Sequence, residues 1–260
     1  MYKATMAKRS IIVAALLISL SRPALAVNFL SFWDAVATQP AAVVQEFIEA
    51  GAGVDAVDEA GLTAIFHAAK RNPDPEVIDV LVEAGADVEA VAGWDYRTPL
   101  SYAAQYNPEP LVSDALIEHG ADINARDADN MTPLLYAAMS NTEPAVLALF
   151  LERGADYEYD APLGMRGTEF LSASHWAAYR NDGGTLIRIL DLLFASGADI
   201  NRQDDSGRTV LMNVVQNQNL GEEVNEIILY LLEKGADLTM QSWDGRAVDL
   251  AEHNSNIATS

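Results

Sequence analysis

Cysteine is absent from all 260 residues. That rules out disulfides, thiolate metal sites and lipid attachment through an N-terminal cysteine. Whatever stability the chain has must come from packing. Positive charge is also scarce: 16 Lys and Arg stand against 38 Asp and Glu, a formal net charge of −22 and a pI near 4.3. Phosphate recognition needs a basic face, so nucleic acid is not an expected partner. Long apolar runs are missing too. The longest, Ile11 to Leu20, is far short of the roughly 20 residues that span a bilayer.

Catalytic and metal-binding patterns are equally sparse. The four histidines, His67, His119, His175 and His253, lie in separate segments, and no H-E-x-x-H occurs. Asp127 and Asp129 begin like a calcium loop, but Met131 takes the third liganding place and the closing Glu is missing. Gly51-Ala52-Gly53-Val54-Asp55-Ala56 matches a dinucleotide fingerprint in letters only, because a helical pattern precedes it where a strand is required. There is no G-x-S-x-G element and no phosphate loop. The sequence therefore implies no enzyme activity, no cofactor and no metal.

What is present begins with a leader. Lys3, Lys8 and Arg9 open it, the apolar run follows, and Ala24-Leu25-Ala26 forms a small-x-small cleavage site. This is the grammar of a secretory signal peptide over 1–26, cleaved after Ala26. Cleavage removes four basic residues and no acidic ones, taking the net charge from −22 to −26. The mature chain is expected in the periplasm or outside the cell, monomeric and without stable membrane insertion.

Beyond the leader two phrases recur. One is Asp58-Glu59-Ala60-Gly61-Leu62-Thr63-Ala64-Ile65-Phe66-His67-Ala68-Ala69; the other is Val80-Leu81-Val82-Glu83-Ala84-Gly85-Ala86-Asp87. Gly-Ala returns at Gly51, Gly85, Gly120, Gly154, Gly197 and Gly235, at intervals of 34, 35, 34, 43 and 38 residues. The Thr position returns at Thr63, Thr98, Thr132, Ser172, Thr209 and, altered, Arg246. A period near 33 residues marks a repeat array whose units bury surface only against their neighbours. Each unit predicts two helices. Thr caps the first, Ala-Ala allows close helix contact, a turn such as Asn72-Pro73-Asp74-Pro75 opens the second, and Gly ends it.

On these residues the chain resembles the ankyrin repeat family, whose unit reads D-x-x-G-x-T-P-L-H-x-A-A followed by a second helix and G-A-D. The resemblance covers roughly residues 30–252. It implies an all-α repeat solenoid in which a β-turn finger and two antiparallel helices stack unit on unit. The expected organisation is an N-terminal capping repeat over 27–57 and an array over 58–240. The array divides into 58–91, 92–126, 127–159, 160–203 and 204–240, and a closing half-repeat and tail occupy 241–260. The resemblance also places His175 where a histidine ties neighbouring fingers by hydrogen bonds.

Departures from the pattern matter as well. Tyr96 and Asn130 hold the finger position of glycine, and tyrosine resists a left-handed backbone, so the finger 93–97 is expected to depart from standard geometry. Six extra residues fall within Tyr157 to Phe170, an expected irregular loop marked by Pro162, Gly164 and Gly167. Further additions fall at Asn181 to Gly184 and Asn217 to Glu222, between paired helices.

A repeat stack binds through its concave face and finger tips. The two positions after each Ala-Ala pair give Lys70, Arg71, Gln105, Tyr106, Met139, Tyr179, Arg180 and Gln216; the tips add Trp94, Asp95, Arg97, Met131, Arg208 and Trp243. Arg, Tyr and Trp are the types that dominate interface energetics. Tyr102, Tyr136 and Trp176 sit one place before Ala-Ala and are expected to serve the core. Acidic residues gather on the second helices, whereas nine of the 12 basic residues of the mature chain fall on fingers or first-helix ends. The expected function is a non-catalytic protein-binding module, in a concrete version an inhibitor or immunity-type protein of an envelope enzyme. The alternatives are an effector secreted onto host or neighbouring-cell proteins, and an enzyme built on the 157–170 insertion.

Overall fold

A computed structural model describes residues 31–162, 170–180, 184–254 and 256–257. The expected leader, Leu163 to Glu169 of the insertion and Asn181 to Gly183 lie outside the described residues, as does the side chain of Arg180. The described chain divides into two compact units, with the division at Asp122/Ile123.

The first unit holds three helix pairs: α1 (Phe32–Thr38) with α2 (Ala41–Glu49), α3 (Ala64–Arg71) with α4 (Glu76–Glu83), and α5 (Pro99–Tyr106) with α6 (Pro110–Glu118). The second holds α7 (Pro133–Ser140) with α8 (Pro144–Glu152), α9 (Ala173–Arg180) with α10 (Leu186–Ala195), α11 (Val210–Gln216) with α12 (Val224–Glu233), and the closing α13 (Ala247–Ala251). A 3₁₀ segment, Gln218–Glu223, fills the expected addition between α11 and α12. Within each unit first helices pack on first helices, α1 on α3 on α5 and α7 on α9 on α11 on α13. Second helices pack likewise, α2 on α4 on α6 and α8 on α10 on α12.

These helices run to ten residues at most, too short to persist alone in water. They stand because one face of each is buried: Ile65, Ala68 and Ala69 of α3, Leu100, Ala103 and Ala104 of α5, Leu134 and Ala138 of α7, and Val210 and Val214 of α11 are fully buried. The paired alanines keep neighbouring first helices close enough for this.

Both ends of the units are closed chemically. Thr98, Thr132 and Thr209 accept a hydrogen bond from the amide three residues on. Thr63 takes the same extended backbone but makes no side-chain cap, contrary to expectation. At the far end Gly51, Gly85, Gly120, Gly154, Gly197 and Gly235 all have positive φ. The following alanine amide returns to the carbonyl five residues back, as Ala86 does to Leu81 at 2.9 Å. That is the Schellman closure, which satisfies carbonyls a helix end would otherwise leave bare.

Three fingers share one turn. Asp58, Asp127 and Asp204 each use a carboxylate oxygen to accept the amides two and four residues on, and each donates its own amide to the carbonyl of Leu62, Met131 or Arg208. The second finger differs, as its sequence implies. Gly93 stands where the others have aspartate, so the turn closes one residue wider, with the Ala92 amide on the Arg97 carbonyl at 3.1 Å. Gly93 and Tyr96 both take positive φ, 77° and 55°.

The insertion after Gly154 was expected as irregular loop, and its base is ordered instead. β1 (Ala161–Pro162) pairs antiparallel with β2 (Phe170–Leu171), with Ala161 opposite Leu171 and Pro162 opposite Phe170.

A further device recurs where α3, α5, α11 and α13 end. The Asn72 carboxamide donates to the carbonyls of Val36 and Gln39, Asn107 to those of Ala69 and Asn72, Asn217 to Ala178 and Asn254 to Val215. The Oδ1 of each accepts the amide two residues on. Every such bond reaches from one repeat back to the repeat before it.

Candidate functional site

In the first unit, four of the expected binding residues come together where α3 and α5 end side by side. Lys70 Nζ lies 4.6 Å from the Tyr106 ring centroid and 5.7 Å from that of Tyr102. The Arg97 guanidinium lies 4.5 Å from the Tyr102 centroid, and the two tyrosine rings are 6.0 Å apart. Arg97 donates from Nη2 to the Ser101 carbonyl at 3.2 Å and to Gln105 Oε1 at 2.6 Å. Tyr106 is about half exposed at 47%, Arg71 is exposed, and Lys70 and Gln105 are half-buried. Burial pushes the Tyr102 hydroxyl up despite the nearby Arg97 charge.

Arg97 itself corrects an expectation. It was placed among finger-tip contacts, yet it is 7% exposed and lies under the tyrosine pair. Its finger supplies no carboxylate at the Gly93 position, and the Tyr102 face and the Ser101 carbonyl hold the guanidinium inward instead. Asp95, half-buried on the same finger, turns its carboxylate towards Gly93, while Trp94 at the tip is 74% exposed.

In the second unit, the ends of α7, α9 and α11 border a groove of about 1020 Å³. Met139, Tyr179, Arg208 and Gln216 line it together with a run of carboxamides at Asn141, Asn213, Asn217, Gln218 and Asn219. Tyr179 is about half exposed and Gln216 exposed. Met139 and Met131 are corrections: both are buried, Met131 beneath the finger turn that its own amide closes on Asp127. Arg208 is half-buried and ion-paired with Asp244 of the next finger, so its head is already engaged. Trp243 projects fully from that finger.

Spacing alone did not single out the groove's asparagines. The signal available was the recurrence of Asn at 72, 107, 141, 181, 217 and 254, just past every first helix except α1.

The core aromatics behave as expected in two of three places. Tyr136 is buried and donates its hydroxyl to Asp127 Oδ2 at 2.6 Å, and Trp176 is buried; Tyr102 is only partly covered. Burial raises the Asp127 carboxyl above its usual range against the bonds from Tyr136, Met131 and Asp129. At the equivalent Asp58 burial also pushes up, but the Leu62 and Ala60 amides and His67 outweigh it and hold the carboxyl low. His175 is buried. Its Nε2 donates to the Arg208 carbonyl at 3.0 Å, so Nδ1 accepts from Ser172 Oγ at 2.7 Å. Burial pushes its pKa down, leaving a neutral finger-to-finger tie, the role its position implies. His67 and His119 meet Asp58 and Asp79 at 2.9 and 2.7 Å. Among the described residues no cluster of three or more His, Asp or Glu could hold a metal, and no helix is long and apolar enough to cross a membrane. Gly51 follows α2 rather than a strand, so the dinucleotide pattern lacks its context.

The family described as ankyrin repeats (3 copies) matches residues 32–127 and 71–161, and that described as ankyrin repeats (many copies) matches residues 174–221. Among curated proteins none matches the sequence. A solved structure of similar fold is the ankyrin repeat domain of Bcl-3, described as a unique member of the IkappaB protein family. It is 23% identical, with a TM-score of 0.60, over 85% of this chain and 97% of that one.

Proposed function

The chain belongs to the ankyrin repeat family, whose repeats are protein-interaction modules, and from that premise we propose a non-catalytic binding protein exported to the periplasm. It acts there as a monomer on one protein partner, as an inhibitor or immunity-type protein of an envelope enzyme. Export rests on the leader pattern of residues 1–26. The observation that carries the binding reading is the outward exposure of Tyr106 and Tyr179 on the ends of first helices, with Gln105 and Gln216 at the matching place in the repeat. Half-exposed tyrosines supply large contact area at low entropic cost. Trp94 and Trp243 extend the same chemistry to the finger tips.

Fractionation and capture test this together. The mature chain, immobilised and exposed to envelope extract, should retain one protein in a 1:1 ratio, and Tyr106→Ala with Tyr179→Ala should lose it. Finding no stoichiometric partner would defeat the binding reading. Finding the protein in culture fluid and not in the envelope would replace the envelope role with that of a secreted effector.

A further inference from the structure

Residues 31–122 carry 17 Asp and Glu but three Lys and Arg: Lys70, Arg71 and Arg97. All three positive charges fall at one place, the joined ends of α3 and α5. With acids outnumbering bases so heavily, chance alone would leave each cation beside a carboxylate. Among the described residues Lys70 and Arg71 pair with none, whereas His67 pairs with Asp58 and His119 with Asp79. The helix dipole accounts for a cation in the last turn of α3. It does not account for two tyrosine faces set around that cation, or for a third cation lodged beneath them.

Three of the polar groups turned outward are donors. Lys70 presents an ammonium, and Arg71 an exposed guanidinium. Gln105 has its Oε1 occupied by Arg97 Nη2 at 2.6 Å, which leaves the amino end of its carboxamide free to donate. An ammonium half-buried between rings has lost part of its hydration without gaining a counter-ion. An incoming anion is stabilised there more than at an open surface, since less water must be displaced and the tyrosine walls lower the local dielectric.

We propose that Lys70, Arg71, Gln105 and Tyr106, set over Arg97 and Tyr102, form a carboxylate-reading site. It takes an exposed Asp- or Glu-bearing segment of the partner protein, the acid against Lys70 and Arg71 and its neighbouring side chain against Tyr106. The proposal deepens the protein-binding reading and depends on it. The acidic remainder of the unit serves specificity, because a segment with several carboxylates is repelled everywhere except here.

The test uses the full mature chain and a displayed library of random 12-residue peptides. Selected peptides should be enriched at least fivefold in Asp or Glu at one position. Replacing that acid by Asn or Gln should weaken binding to the wild-type chain at least tenfold, and leave binding to Lys70→Glu/Arg71→Glu unchanged within twofold. Tyr179→Ala/Gln216→Ala, in the groove of the second unit, is made alongside, and Glu152→Gln, exposed on α8 and outside both candidate surfaces, should bind the same peptides as tightly as wild type. If the charge-reversed chain does not melt like wild type, Lys70→Gln/Arg71→Gln takes its place. A selected pool without acidic enrichment, or an acid whose removal costs the same in both chains, overturns the site. Peptides lost only in the Tyr179/Gln216 variant overturn it while leaving protein binding intact. Failure to select any peptide above the urea-unfolded chain defeats both.

Discussion

Asn107→Ala should be among the most damaging single changes in the first unit, though Asn107 presents almost nothing to the surface. Asn107 is 1% exposed. Its Nδ2 donates to the carbonyls of Ala69 at 3.0 Å and Asn72 at 2.8 Å, and its Oδ1 accepts the Glu109 amide at 3.0 Å. Alanine removes all three bonds and fills no space. Each bond contributes about 1 kcal/mol net, and the two carbonyls belong to the preceding repeat, where little water reaches them; the loss should total about 3 kcal/mol. For an array of this length that is a fall in melting temperature of roughly 6–12 °C. Urea unfolding of the mature chain, followed by far-ultraviolet circular dichroism, reads the change in midpoint directly. Asn107→Asp separates the contributions, since it keeps the acceptor for Glu109 and deletes both donors. A loss below about 0.5 kcal/mol for the alanine variant would refute the claim that these carboxamides hold one repeat to the next.

Tyr96→Gly should stabilise the chain by up to about 1 kcal/mol in thermal melts, because Tyr96 is exposed and held at φ 55°, a backbone that costs tyrosine more than glycine loses in entropy. Acidification should weaken the second unit through His175. Its pKa in the fold lies below the unfolded value of about 6.5, so its stability is complete above that pH and drains away as pH falls from there. Urea midpoints at pH 7.5 and 5.5 should differ for wild type and converge for His175→Gln, once the shared carboxylate contribution is subtracted. Trp94→Ala and Trp243→Ala should each change stability by less than about 0.5 kcal/mol and weaken partner capture at least tenfold, measured by surface plasmon resonance.

The architecture was legible because its signals are local and repeated. Thr-Pro starts a helix and Gly-Ala ends one wherever either occurs, so the spacing of Thr98 to Gly120 fixes a helical pair without knowledge of any neighbour. Site residues were less legible, because exposure is decided by whatever lies alongside. Arg97 and Trp94 share a finger, yet one is covered by Tyr102 from the following helix and the other is open. Met131 follows a turn residue just as Arg208 does, but an apolar side chain folds beneath the turn where a charged one reaches Asp244. The insertion after Gly154 read as loop because Ala161, Pro162, Phe170 and Leu171 are too short a run to announce a ladder.

The backward reach of the asparagine bonds gives the stack a polarity. At Asn72, Asn107, Asn217 and Asn254 the later repeat carries the donors and its predecessor holds the acceptors, so a chain emerging N-terminus first meets carbonyls already in position. Trimming from either end breaks one set of these bonds, leaving bare carbonyls at a C-terminal cut and a bare carboxamide at an N-terminal one.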